Sequence, residues 1–269
     1  MRLTDSHCHL DGGKYAHDFE AVLARAVEAG VEHMMAIGTG DGPPDLACAV
    51  RIAEMYPQFS ATVGVHPHEA SKVTDKTYSD LRELGRHQKV VALGEIGLDY
   101  HYDFSPREVQ KDVFVRQLEL AKELNLPIVI HTREAWSDTI SVLKEHWTGP
   151  GIFHCFTGDA DQAREALDLG FHLAFGGVIT FKTAETMREA ARITPADRLL
   201  TETDAPYLAP IPWRGKRNEP AFMTETVKTL AAVRGTTPDR VAETASDNFE
   251  RLCLRPRNWN RYTGDSHGN

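Results

Sequence analysis

The segment Asp5-Ser6-His7-Cys8-His9-Leu10-Asp11 places two imidazoles two residues apart at the end of an apolar run. Side chains alternate along a strand, so His7 and His9 share a face and can grip one metal ion from two sides. Cys8 faces the other way, towards a core. Further along, Leu93-Gly94-Glu95-Ile96-Gly97-Leu98-Asp99 sets a carboxylate inside an apolar segment, where an unpaired charge is costly. Two cations relieve that cost, because a carboxylate offers one oxygen to each. Ile128-Val129-Ile130-His131 and Ile152-Phe153-His154 both end an apolar run on a histidine. Residues 199–206 carry Glu202 and Asp204 on one face. Asp204 is suited to bind a metal and to take the proton of an activated water. Glu95 and Asp204 are thus the expected catalytic carboxylates.

Strands must gather these side chains. Eight short apolar runs, at residues 3–9, 31–38, 59–66, 90–96, 127–131, 151–154, 171–175 and 199–203, alternate with stretches of helical period. Such alternation predicts a parallel sheet, either rolled into a barrel or doubly wound. His7, His9, His66, Glu95, His131, His154 and Asp204 all fall at or just past strand ends. A barrel collects its strand ends around one mouth, whereas an open sheet spreads them along an edge. The expectation is an α/β protein folded as one (β/α)8 TIM barrel over residues 1–254, followed by a polar C-terminal tail over 255–269. Ser105-Pro106-Arg107-Glu108 predicts a helix start, with Ser105 as the cap and Glu108 closing a capping box. Asp159 and Gln162 predict another.

The bulk numbers narrow the function. The chain has 269 residues and a formal net charge of -9, which repels a polyanion at long range and disfavours a protein that merely coats DNA. It does not exclude a nucleic-acid enzyme, because bound divalent ions and one basic loop reverse the field locally. Arg214, Lys216 and Arg217 form such a loop after the last strand and are candidates to clamp phosphates. His66, in Gly64-Val65-His66-Pro67-His68, points to the mouth as a candidate substrate contact, and Glu202 is a candidate of the same kind. No apolar run has the ~18 residues of a membrane span, and the start of the chain has no signal-peptide pattern. Four cysteines without CxxC spacing read as reduced thiols in a cytoplasm.

Taken in order, DSHCHLD, GVHPH, GEIGLDY, PIVIHTREA, FHCFTG, TETDAPYL and RGKRNEP resemble the TatD family of metal-dependent deoxyribonucleases, a branch of the amidohydrolase-like barrels. The resemblance runs from about Met1 to about Leu254. It implies two divalent metal ions per chain, with His7, His9, Glu95 and Asp204 around one and Glu95, His131 and His154 around the other. It implies hydrolysis of DNA phosphodiesters, with single strands and 3′ ends favoured. An activated water attacks phosphorus, and Asp204 accepts its proton. Many related amidohydrolases bridge their metals with a carbamylated lysine; Glu95 at that place favours the nuclease branch. The imidazole-rich set suits Zn or Mn, and Mg less well. A small-molecule amidohydrolase or lactonase using the same metals is the first alternative, and a non-enzymatic barrel stabilised by metal is the second.

Overall fold

The computed structural model describes residues 1–255, apart from Gly12 and Pro44. Eight parallel strands run in chain order: β1 (Leu3–Cys8), β2 (Val31–Ala36), β3 (Phe59–Val63), β4 (Val90–Asp99), β5 (Ile128–Arg133), β6 (Gly151–Phe153), β7 (His172–Phe175) and β8 (Leu199–Thr201). Each pairs with the next in the sequence. The ring closes between the ends of β8 and β1. Asp204 N donates to His7 O at 2.9 Å, His9 N donates to Ala205 O at 2.7 Å, and Cys8 bridges Ala205 in parallel register. The buried Asp5 carboxylate reinforces this seam by accepting from Thr203 N at 3.0 Å and Thr203 Oγ1 at 2.5 Å. This is the barrel that the strand ends predict. The expected tail over 255–269 lies, apart from Arg255, outside the described residues.

Strand alternation divides the core in two. Met35, Ile37, Val129, Ile152, Ala174 and Leu200 face inward and fill the barrel. Their neighbours Met34, Ala36, Ile128, Ile130, Phe153, Leu173, Phe175 and Leu199 face outward. They pack under helices α1 (Phe19–Glu28), α2 (Cys48–Met55), α3 (Asp75–Leu84), α4 (Arg107–Leu124), α5 (Trp136–His146), α6 (Ala160–Asp168), α7 (Glu185–Ile193) and α8 (Met223–Arg234). Helix α9 (Pro238–Phe249) and the π-turn Glu250–Leu254 bring Phe249, Leu252 and Cys253 against the inward set. Asn248 Nδ2 donates to Leu199 O at 2.7 Å, which places this plug at the strand starts. The opposite end, where the strands finish, stays open for chemistry. Among the described residues no helix is long and apolar enough to cross a membrane, and all four cysteines are free thiols.

Two helix starts were legible and one resolves differently. Asp159 caps α6 by accepting from Asp161 N and Gln162 N, and Gln162 reaches back to Asp159 N, completing the expected box. Thr74 and Thr77 do the same for α3. Ser105 does not cap α4. Its hydroxyl donates to His68 O at 2.9 Å and accepts from Ser71 N at 3.0 Å, so it pins the 3-10 turn Pro67–Lys72 to the barrel mouth instead. Two glutamines on α4, seven residues apart and hence on one face, are both buried. Gln117 brackets the backbone of Val65 at 2.7 and 3.1 Å. Gln110 accepts from Asp99 N at 2.8 Å and donates to Asp99 O and Ser105 O at 3.0 and 2.9 Å. They supply the hydrogen bonds that irregular backbone past β3 and β4 lacks.

Gln110→Leu keeps the volume and removes all three bonds. An unsatisfied buried group costs about 1–3 kcal/mol, so the variant is expected to lose at least that much stability in urea titration. A midpoint and slope equal to those of the parent would show that the Asp99 backbone finds other partners.

Candidate metal centre

The open end of the barrel brings the predicted residues together. His7, buried within β1, and His9, just beyond it, direct their Nε2 atoms to within 3.1 Å of each other. Glu95 on β4 is buried, and its two oxygens face different groups. Oε2 lies 3.5 Å from His7 Nε2 and 3.7 Å from His9 Nε2. Oε1 lies 2.7 Å from His131 Nδ1 and 2.7 Å from His154 Nε2. Asp204 Oδ1, past β8, stands 3.8 Å from His7 Nε2 and 3.6 Å from His9 Nε2. Asp204 holds a left-handed φ of 56°, which turns the chain immediately after the seam with β1. Asp adopts that region more readily than most side chains.

Behind the inner residues stands a second tier of carboxylates. Asp99, fully buried at the end of β4, accepts from His131 Nε2 at 3.0 Å and from His68 Nε2 at 2.8 Å. Its other oxygen accepts from His101 N and Tyr102 N, both at 3.0 Å. Asp99 therefore fixes the His131 ring and leaves Nδ1 aimed at Glu95. Glu202 Oε1 accepts from Cys155 N at 2.6 Å and lies 3.7 Å from His154 Nδ1, with His154 Nε2 aimed at Glu95. Carboxylates that orient imidazoles through the far nitrogen are a recurring support of metal ligands.

The donor set fits a divalent cation. Two imidazole nitrogens 3.1 Å apart and carboxylate oxygens within 3.8 Å converge on one point, and His7 Nδ1, His154 Nδ1 and Glu202 Oε2 are buried without a hydrogen-bond partner. Burial, with the charge of His154 adding to it, holds His7 well below the usual imidazole range, so it is neutral and free to ligate. Burial would push Glu95 up, yet the charges of His154 and His66 and hydrogen bonds from His131 and His154 hold it well below the usual carboxylate range. Burial would lower His154, but Glu95 and Glu202 raise it well above the usual value. A site that attracts a proton so strongly attracts a metal ion for the same reason. Burial and the charges of Glu95 and Glu202, opposed by His154, push Asp204 up to about 8.

The other expected contacts are distributed less evenly. His66 lines the cleft above the centre, a cavity of about 570 Å³, and its Nε2 is 3.6 Å from Glu95 Oε1. It groups with Glu95 and His131 more closely than a pure substrate contact requires. Glu202 is fully buried behind His154, outside the cleft wall, and groups with His7 and His154. Nor do Arg214, Lys216 and Arg217 line the cleft. Arg217 is bound to Asp18 at 2.6 and 2.8 Å, Arg214 covers the Phe181 ring at 4.4 Å, and Lys216 lies over Trp213 at 5.3 Å. The cation that does line it is Arg133, at the end of β5. Asp99, His68 and Arg133 were not singled out from the sequence. Asp99 had a signal, since it lies an even number of residues from Glu95 on one strand. His68 and Arg133 had none beyond being close to strand ends.

Histidines and carboxylates gathered at the open end of a barrel are the donor set that a metal-dependent hydrolase uses. The family model described as TatD related DNase matches residues 4–253, and the chain belongs to that family. It is 43% identical over 252 residues to the uncharacterized metal-dependent hydrolase YabD of Bacillus subtilis, covering 93% of this chain and 98% of that one. It is 38% identical over 260 residues to a protein of Cronobacter sakazakii named 3′-5′ ssDNA/RNA exonuclease TatD, covering 93% and 97%. The crystal structure of YJJV, a TatD homologue from Escherichia coli K12, superposes with a TM-score of 0.87 at 32% identity, covering 95% of this chain and 99% of that one. The protein is a metal-dependent hydrolase acting on ester bonds.

Asp99→Asn keeps the size and lets the His131 ring swing. Loss of such a supporting carboxylate typically weakens metal affinity by about 10–100-fold. Competition against a chromogenic chelator should show that loss with the melting temperature little changed. Parental affinity in the variant would remove Asp99 from the support of His131.

Proposed function

We propose that the protein is a nuclease that hydrolyses phosphodiester bonds of DNA with two divalent metal ions, on single strands and from 3′ ends. The observation that carries this is the division of the Glu95 carboxylate. One oxygen faces His7 and His9, and the other faces His131 and His154. A single carboxylate shared between two imidazole sets suits a bridge between two ions. His7, His9, Glu95 and Asp204 would hold one ion, and Glu95, His131 and His154 the other. An imidazole-rich set favours Zn or Mn over Mg. The similarity to a protein named as an exonuclease supports the choice of substrate. Free thiols suit a cytoplasmic setting.

When bound, the ions acidify a water and neutralise charge on the phosphoryl oxygens. The chain's own groups do the rest. Asp204 faces the His7 and His9 side from past β8, where its carboxylate would accept the water's proton. Asp99 keeps the His131 ring from turning, and the Glu202 carboxylate stands behind His154. His66 and Arg133 face the cleft and are placed to bind the phosphate flanking the reacting bond. The loop of Arg214, Lys216 and Arg217 lies outside that wall, so any contact it makes is with strand leaving the cleft.

Elemental analysis after Zn or Mn loading should give two ions per chain, and Glu95→Ala should retain neither at full affinity. Two tightly held ions in Glu95→Ala would exclude the bridge. Asp204→Asn keeps a carbonyl oxygen and loses the proton acceptor. General-base catalysis contributes about 10²–10⁴-fold, so kcat on a single-stranded oligonucleotide should fall by that range while the fold and the second ion persist. Near-normal turnover would remove Asp204 from the chemistry. Parallel assays on duplex DNA, RNA and a carboxylic ester decide the substrate class, and turnover of the ester alone would overturn the nuclease reading.

A further inference from the structure

Among the described residues the exposed large aromatics are Tyr102, Phe104 and Tyr207, with relative exposures of 47%, 67% and 50%. All three stand around one opening. Tyr102 and Tyr207 line the cleft over the metal centre, and Phe104 packs directly on Tyr102. Scattered single apolar groups are ordinary on a surface, but rings gathered at the mouth of a site are not.

The Tyr102 and Phe104 rings lie parallel, 9° apart in orientation with centroids 5.2 Å apart. Asp103 between them has a φ of +49°, which reverses the chain locally and brings alternate side chains side by side. The pair is braced. The His68 ring meets both edge-on, at 5.4 Å and 4.9 Å, and Arg133 lies over Tyr102 at 4.7 Å. Tyr102 N donates to Asp99, the carboxylate that also holds His68 and His131. Ring by ring, His131, His68 and Phe104 lead from the centre to the rim in steps of 6.1 Å and 4.9 Å.

We propose that Tyr102 and Phe104 form a stacking platform for an unpaired nucleobase adjoining the reacting phosphodiester, and that this platform selects single-stranded substrate. The assignment rests on the nuclease reading above. Each base has a flat face, so stacking tolerates any sequence, and a base paired and stacked in a duplex does not present that face. The charge balance favours such a contact. A chain of net charge -9, whose Arg217 is tied to Asp18, gains little from backbone phosphates at a distance. Arg133 beside Tyr102 supplies a local cation for the phosphate next to the stacked base.

Phe104→Ala, Phe104→Leu and Phe104→Trp separate stacking from bulk. In the metal-loaded protein, Phe104→Ala should raise KM for a single-stranded oligonucleotide about 5–150-fold, the range of one lost stacked base, with metal content and melting temperature as in the parent. Phe104→Trp should restore KM, and Phe104→Leu should not. A 2-aminopurine placed in the oligonucleotide should be quenched on binding to the parent and to Phe104→Trp, and not to Phe104→Ala. An unchanged KM in Phe104→Ala, or rescue by leucine equal to that by tryptophan, would overturn the platform. A parent that quenches the probe but hydrolyses no nucleic acid would overturn the nuclease reading and reduce the platform to a base-binding site without a reacting phosphodiester. A parent that neither binds nor cleaves the oligonucleotide would overturn both.

Discussion

A buried carboxylate with five imidazoles around it sets the terms for everything else in this molecule. Glu95 lies within 3.7 Å of His7, His9, His66, His131 and His154, which come from the ends of four other strands. Removing a carboxylate from water is expensive unless positive charge meets it. Neutral imidazoles alone do not meet it fully, but protons or divalent ions shared among them do. The geometry therefore favours whatever cation the histidines can hold, and the closed barrel keeps the partners from separating.

That arrangement is costly to hold still, and the scaffold around it shows where rigidity comes from. Asp99 grips the outer nitrogen of His131, and Glu202 sets a buried negative charge 3.7 Å behind that of His154. Gln110 and Gln117 on α4 grip the backbone of the strand ends that carry Asp99 and lead to His66. Asp5 grips the turn that presents Asp204. Each layer is polar, buried and supported by the next, so the inner side chains inherit positions from residues behind them.

Much of this was legible in the sequence, for physical reasons. Histidines ending apolar runs stand out because burial of a polar ring needs a purpose, and their recurrence on successive strands implies one mouth. The barrel followed from ionisable residues recurring at strand ends, and its closure sets Asp204 beside His7 and His9. The supports were harder to read. Gln110 and Gln117 look like ordinary polar positions on a helix, and only the three-dimensional course of the backbone gives them unpaired groups to serve. Glu202 shares a face with Asp204, which suggested the cleft; the short β8 instead buries it behind His154. The Arg214–Arg217 stretch has the composition of a phosphate clamp, but charge in a sequence does not reveal its partner. Arg217 spends its charge on Asp18. Ser105 has every local feature of a cap and is taken by a tertiary contact with His68.

The seam between β8 and β1 carries a kinetic consequence. Asp204 N bonds to His7 O across 197 residues of chain, as 204 minus 7. Contacts of such separation must overcome the entropy of closing a very long loop, and topologies rich in them form late. Single βα units carry at most part of the centre, and none of them holds both halves of it. As the chain emerges during synthesis, its strands can pair one by one while the molecule has no competence for hydrolysis. The complete centre exists only when the end of the eighth strand lies against the first.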